Sequence, residues 1–169
     1  MEADETNDTR STRSIAYIRA PGQSEVRWMG ETSTHFLATG ATTNGEFCLV
    51  EETAKRGESV PLHRHVDDVE SFYVLDGEVT FFFDAQPGVR VGASSFVHLP
   101  GGVIHGFRVE SDTARYLIIT TAHHGEFYRA ISIPAQANGR PATYEVDGDK
   151  VAAAIQDYGI DYIGDLPDQ

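Results

Sequence analysis

From Ile15 to about Thr120, short runs rich in Val, Ile, Phe, Tyr and Thr recur every eight to twelve residues. Asn44-Gly45, Arg56-Gly57, Asp76-Gly77, Pro87-Gly88 and Pro100-Gly101-Gly102 punctuate them. Short apolar runs of this length, bounded by turn residues, predict an all-β chain folded as an antiparallel sandwich or barrel. The predicted strands cover residues 35–39, 46–53, 59–65, 69–75, 78–84, 88–92, 95–99, 104–109 and 113–120. Asp76-Gly77, between two strong runs, predicts a hairpin, because glycine accepts the positive φ of a tight turn.

Beyond Thr120 the pattern changes. Residues 124–131 and 149–158 predict two short helices, the second capped by Asp149 and followed by Gly159, with a Pro/Gly-containing loop at 134–147. Residues 1–14 carry no hydrophobic periodicity and read as a disordered tail. The expected organisation is that tail, a β-barrel over 15–120, and a helical extension over 121–169 packed on the barrel or on a dimer partner. The exposed strand edges of a small barrel need covering, which makes a homodimer the expected assembly.

Composition narrows the partners. The 169 residues carry a net charge of −13 with scattered basic residues, which argues against nucleic acid or an anionic membrane surface. The polar start resembles no signal peptide and no run approaches bilayer length, so the expected location is the cytoplasm. Cys48 is the only cysteine, which rules out an intrachain disulfide and a cysteine-based zinc site. In the run Glu46-Phe47-Cys48-Leu49-Val50 it reads as a small buried hydrophobe.

The candidate chemistry lies in one stretch and one later histidine. His63 and His65 stand two apart, so on a strand both side chains leave the same face. A turn at Asp67-Asp68 would bring the next strand back alongside and set Glu70 beside them. His105 follows the Pro100-Gly101-Gly102 turn at the start of another strand. Taken alone, a His-X-His beside acidic residues also fits surface decoration. If the four converge, three imidazoles and one carboxylate suit one divalent transition metal: Fe, Ni, Co, Mn, Cu or Zn.

The segment from Gly57 to Gly77 resembles the first cupin motif at Gly57, His63, His65, Glu70 and Gly77, and Pro100, Gly102 and His105 resemble the second. The second motif departs where Ser94 replaces a usual glycine and Val109 a usual asparagine. The resemblance implies a jelly-roll barrel over roughly 30–120 with His63, His65, Glu70 and His105 as metal ligands. Within the cupins, FLATGATTNGEFCLVEETAKRG, ESFYVLDGEVTFFF and IQDYGIDYIGDLP resemble the quercetin 2,3-dioxygenase group. That resemblance implies ring-opening dioxygenation of a flavonol-like enol by O₂, and the leading expectation is a metal-dependent dioxygenase acting on an aromatic or polyketide-like substrate.

Strand parity places Phe72 beside Glu70 and Phe107 beside His105, with Phe47, Leu49 and one face of Phe81-Phe82-Phe83 as candidates for the same wall. Tyr73 should point away. These phenylalanines suit a flat small-molecule substrate, or else simply fill the core. The other face of Phe81-Phe82-Phe83 is expected under a helix or a partner subunit. His98 and His35 are weaker candidates for the pocket, His123-His124 are expected in solvent or capping a helix, and Trp28 is expected to anchor the N-terminal segment. Glu70 is the candidate catalytic base. Alternative readings are a non-redox isomerase, cyclase or dehydratase using the same metal, and a ligand-binding cupin without turnover.

Overall fold

The computed structural model describes residues 15–84, 86–137, 139–140 and 146–167. The tail expected over residues 1–14 lies outside them. In chain order the elements are β1 (Glu25–Met29), β2 (Thr32–Ala38), β3 (Cys48–Lys55), β4 (Ser59–His65), β5 (Glu70–Asp76) and β6 (Glu78–Phe83). There follow β7 (Val89–Gly92), β8 (Phe96–Leu99), β9 (His105–Val109), β10 (Thr113–Thr120) and α1 (Ala122–Ile131). The chain continues through β11 (Ile133–Pro134), α2 (Gly148–Asp157) and β12 (Ile160–Gly164). All nine strands expected from the sequence are present.

The strands form two antiparallel sheets, β11-β1-β2-β3-β10-β5-β8 and β12-β4-β9-β6-β7. Alternation decides which side chains meet between them. Along β3, Cys48, Val50, Glu52 and Ala54 are buried; along β10, Ala114, Tyr116, Ile118 and Thr120 are buried. Phe72 from the first sheet meets Phe81 and Phe107 from the second, with ring centroids 5.0 and 5.5 Å apart. Val109 is fully buried in this core, so the apolar residue in the second motif packs there.

Asp76-Gly77 does not close a hairpin. β5 pairs with β10 and β8 while β6 pairs with β9 and β7, so the turn carries the chain from one sheet to the other. Gly77 has φ +79°, and a Cβ there would stand 2.3 Å from the Thr113 carbonyl oxygen. The residue is glycine for a crossing turn, and the local pattern of a crossing turn matches that of a hairpin.

Three further expectations change in the structure. The N-cap of α2 is Asp147, whose side chain accepts from the Lys150 amide, rather than Asp149. Phe82 is covered by the chain itself, against Gly88 and under the Arg108 guanidinium, rather than by a helix or a partner. Residues beyond 120 contribute more than helices: β11 extends the first sheet and β12 extends the second beside β4. Trp28 lies on β1, paired with Ser33 and Ile133. Among the described residues, no helix is long and apolar enough to cross a membrane.

Candidate metal centre

β4 and β9 run side by side with His63 opposite His105, and β4 presents His63 and His65 on one face. Glu70 opens β5 in the other sheet. It therefore reaches the imidazoles from across the space between the sheets, not from a neighbouring strand, because the Asp67-Asp68 turn is a crossing too. One ligand atom from each of His63, His65, Glu70 and His105 lies within 4.8 Å of the others. His65, Glu70 and His105 are buried and His63 is partly so.

Backbone carbonyls fix two of the imidazole rings. His63 Nδ1 lies 2.9 Å from the Pro61 carbonyl and His105 Nδ1 lies 2.9 Å from the Val103 carbonyl. Each Nδ1–H donates there, which leaves the Nε2 lone pair turned inward, the tautomer a metal ligand needs. His63 Nε2 and His65 Nε2 stand 2.9 Å apart, and His105 Nε2 stands 3.2 Å from Glu70 Oε2. Converging imidazole nitrogens with a carboxylate fit a divalent transition metal by donor chemistry and by reach.

Electrostatics set the charge of each group. Burial pushes His63 down to about 4 and His65 down to about 3, so both rings are neutral at ordinary pH. Burial works against the Glu70 carboxylate, but the His105 hydrogen bond and the facing histidines outweigh it and hold the carboxyl well below its usual range. Burial likewise opposes a charged His105, and the Glu70 hydrogen bond and charge outweigh it, raising that ring.

Helix α1 completes the centre. Tyr128 donates to Glu70 Oε1, and His124 stands with its ring centroid 4.0 Å from that of His65. His124 Nε2 is 3.8 Å from Glu70 Oε1. His124 is 1% exposed, so the expectation of a solvent-facing residue fails there: the helix turns this side chain inward. His123, one step round the helix, does face outward and bonds Asp68 Oδ2 at 3.0 Å. Thr121 caps the helix by accepting from the His124 amide and donates to Asp68 Oδ1, which pins the start of α1 to the turn before Glu70. Gly125 makes the close approach possible, since a Cβ there would lie 2.5 Å from Cys48 Cβ and 2.6 Å from its sulfur.

A cavity of about 210 Å³ opens beside the four residues. Phe107, Ile118, Val60, Met29 and Glu52 line it from the sheets. Phe127 and Ile131 of α1, Val151 and Ile155 of α2, and Ile160 and Tyr162 of β12 line it too.

Of the residues expected around a substrate, Phe107 lines this cavity. Phe72 is fully buried in the aromatic cluster beneath it and does not reach the cavity wall. Phe47 and Leu49 fall on the other parity of the β3 segment. Cys48 and Val50 point inward, Phe47 is 40% exposed, and neither Phe47 nor Leu49 lines the cavity. His98 is exposed on β8, bonded through Nδ1 to Ser71 Oγ at 2.8 Å, and stands away from the cavity. His35 bonds Ser24 and is not in the cavity wall. Tyr73 points outward as expected, 40% exposed.

The sequence reading missed His124, Tyr128 and Glu52. His124 and Tyr128 are four apart on a helix, which sets them on one face. Glu52 continues the alternation of Cys48, Val50 and Ala54, an apolar face with one acid in it.

Comparison with known proteins agrees with this architecture. Residues 50–120 match the family model described as a cupin domain. A quercetin 2,3-dioxygenase of Bacillus subtilis (strain 168) is 22% identical over 125 residues, covering 73% of this chain. The chain spans 37% of that relative's length. The polyketide cyclase RemF from Streptomyces resistomycificus superposes with a TM-score of 0.57 at 22% identity, over 64% of this chain and 80% of its own. A predicted oxalate decarboxylase from Thermotoga maritima gives a TM-score of 0.57 at 18% identity, over 62% and 98%. These structural likenesses establish the fold.

Proposed function

This chain is a cupin, and from that premise we propose that it is a metal-dependent dioxygenase acting on a compact aromatic or polyketide-like enol. The observation that carries the reading is the joining of His63, His65, Glu70 and His105 at one end of a mostly apolar, largely enclosed cavity. The quercetin 2,3-dioxygenase likeness supports the oxidative branch of it.

A divalent cation held there would act as a Lewis acid and lower the pKa of a hydroxyl adjacent to a carbonyl. Glu70 lines the cavity and is the base that accepts the departing proton. Tyr128 orients that carboxylate through its hydroxyl. His63 and His105 keep their Nδ1 protons on backbone carbonyls and so hold their rings in place. Phe107, Ile118 and Val60 offer a flat ring apolar surface to lie against.

A second reading is a non-redox isomerase or cyclase on the same metal. His124 and Tyr128 favour it, because two further proton-bearing groups beside Glu70 suit proton shuttling without oxygen.

The test begins with metal content of the untagged protein by mass spectrometry, alongside His63→Ala and His105→Ala. About one equivalent in wild type and loss in both variants is expected. Oxygen uptake with quercetin and with the smaller 3-hydroxychromone follows. Uptake stoichiometric with substrate loss supports the dioxygenase, and equal turnover without oxygen overturns it in favour of the second reading.

A further inference from the structure

Glu52 is a carboxyl group buried in an apolar wall, and the metal centre does not use it. It is 6% exposed and alternates on β3 with Val50 and Ala54, both fully buried. Its side chain reaches the same cavity as the metal group. In register Glu52 faces Tyr116, whereas Glu70 faces Thr120 on the other side of β10. Four residues along and two strands across place the two Cα atoms roughly 16 Å apart. Metal group and carboxyl therefore line one cavity from separate strands, with the Glu70 charge near enough to help raise the Glu52 carboxyl.

A buried carboxyl costs folding free energy unless its oxygens are satisfied. Thr34 Oγ1 donates to Oε1 at 2.8 Å and the Tyr116 hydroxyl supplies a second bond. A carboxylate offers about four acceptor sites, so two partners leave capacity directed at the cavity. Met29, Val60, Phe107 and Ile118 line the same cavity with apolar surface. Burial pushes the carboxyl up to about 7, so near neutral pH it can accept from a hydroxyl or donate to a carbonyl.

We propose that Glu52 is a specificity-determining residue that hydrogen-bonds a hydroxyl on the far ring of an aromatic substrate whose enol end faces the metal group. The assignment rests on the metal-and-enol reading above. It names the substrate class more closely: a flat enol bearing a second hydroxyl at the edge opposite its metal-binding oxygens. Such a site discriminates strongly against the analogue lacking the hydroxyl, because the buried acid is then left short of a partner.

The experiment uses zinc-loaded protein, zinc content measured in every sample, and two probes that differ by one group: 3-hydroxychromone and 3,7-dihydroxychromone. Dissociation constants are measured by fluorescence titration for wild type, Glu52→Gln and Glu52→Leu. Wild type is expected to bind the dihydroxy probe about tenfold more tightly. Glu52→Leu should erase that preference by weakening the dihydroxy probe alone. Glu52→Gln, which keeps the shape and polarity, should retain part of it and reports if the leucine variant fails to fold. Equal binding of both probes by wild type, or an undiminished preference in either variant, overturns the role of Glu52 and leaves the metal reading standing. Failure of the zinc-loaded wild type to bind either probe overturns the enol reading itself, and this assignment with it.

Discussion

Tyr128 on α1 donates its hydroxyl hydrogen bond to Glu70 Oε1, while His105 Nε2 stands 3.2 Å from Oε2 of the same carboxylate. A helix that begins after the last long strand thus sets the orientation of a residue fifty-eight positions earlier in the chain. Tyr128→Phe removes this one bond and little volume. A hydrogen bond to a buried charged group is worth about 1.5–3 kcal/mol, and loss of such an orienting partner weakens metal binding roughly 10–100-fold. Competition titration against a chelator measures it. Affinity equal to wild type would show that Tyr128 does not hold Glu70 for the metal.

The candidate metal group was legible because strand parity and motif spacing are local. His63 and His65 two apart on a strand must share a face, and Gly57 and Gly77 mark the turns that bound the stretch. The partners of that group were not legible for the opposite reason. His124 and Tyr128 reach it only through the docking of α1, which depends on Gly125 lying against Cys48 and Thr121 against Asp68. The same limit explains the Asp76-Gly77 turn, since positive φ at Gly77 serves a hairpin and a crossing equally. β1 and β12 escaped notice because neither carries a fully alternating apolar pattern, and each is a strand by virtue of its neighbour.

Burial gives Glu52 a pH signature. Its carboxyl is pushed up to about 7 in the folded protein from an ordinary 4.5. Between those values the folded state binds more protons than the unfolded chain, so stability falls as pH rises. The loss is absent below 4.5, accumulates through 7 and then levels off, totalling about 3 kcal/mol at roughly 1.4 kcal/mol per pH unit. Glu52→Gln cannot ionise. Its stability relative to wild type should therefore climb from pH 4.5 to 7 in urea unfolding of metal-free protein. Parallel curves for the two proteins would mean that the carboxyl titrates normally.

The seat of α1 on β3 has no spare room. A Cβ at position 125 would lie 2.5 Å from Cys48 Cβ and 2.6 Å from its sulfur, far inside contact distance. Gly125→Ala should cost about 1–3 kcal/mol as the helix is forced outward. Adding Cys48→Ala removes the sulfur but leaves the 2.5 Å approach to Cβ, so the double variant should recover only part of the loss. Denaturant midpoints of the two variants decide it. Full recovery would show that the sulfur alone made the fit tight.

Ser94 occupies the position where the second motif usually has glycine, and it adopts the backbone glycine would take. Its φ is +69°, and its amide donates to the Val74 carbonyl at 2.8 Å, so the turn before β8 keeps its form. An L-residue held in the left-handed region costs about 1–2 kcal/mol. Glycine escapes that cost but surrenders roughly 0.5–1 kcal/mol of extra freedom on folding. The difference favours Ser94→Gly by about 0.5–1 kcal/mol, or a rise in Tm of roughly 1–4 °C for a chain of this size. Ser94→Val should lose stability instead, because a β-branched side chain tolerates positive φ least. Thermal unfolding of the pair tests the account: a glycine variant no more stable than wild type would mean that the serine side chain stabilises the turn by as much as the backbone strain costs.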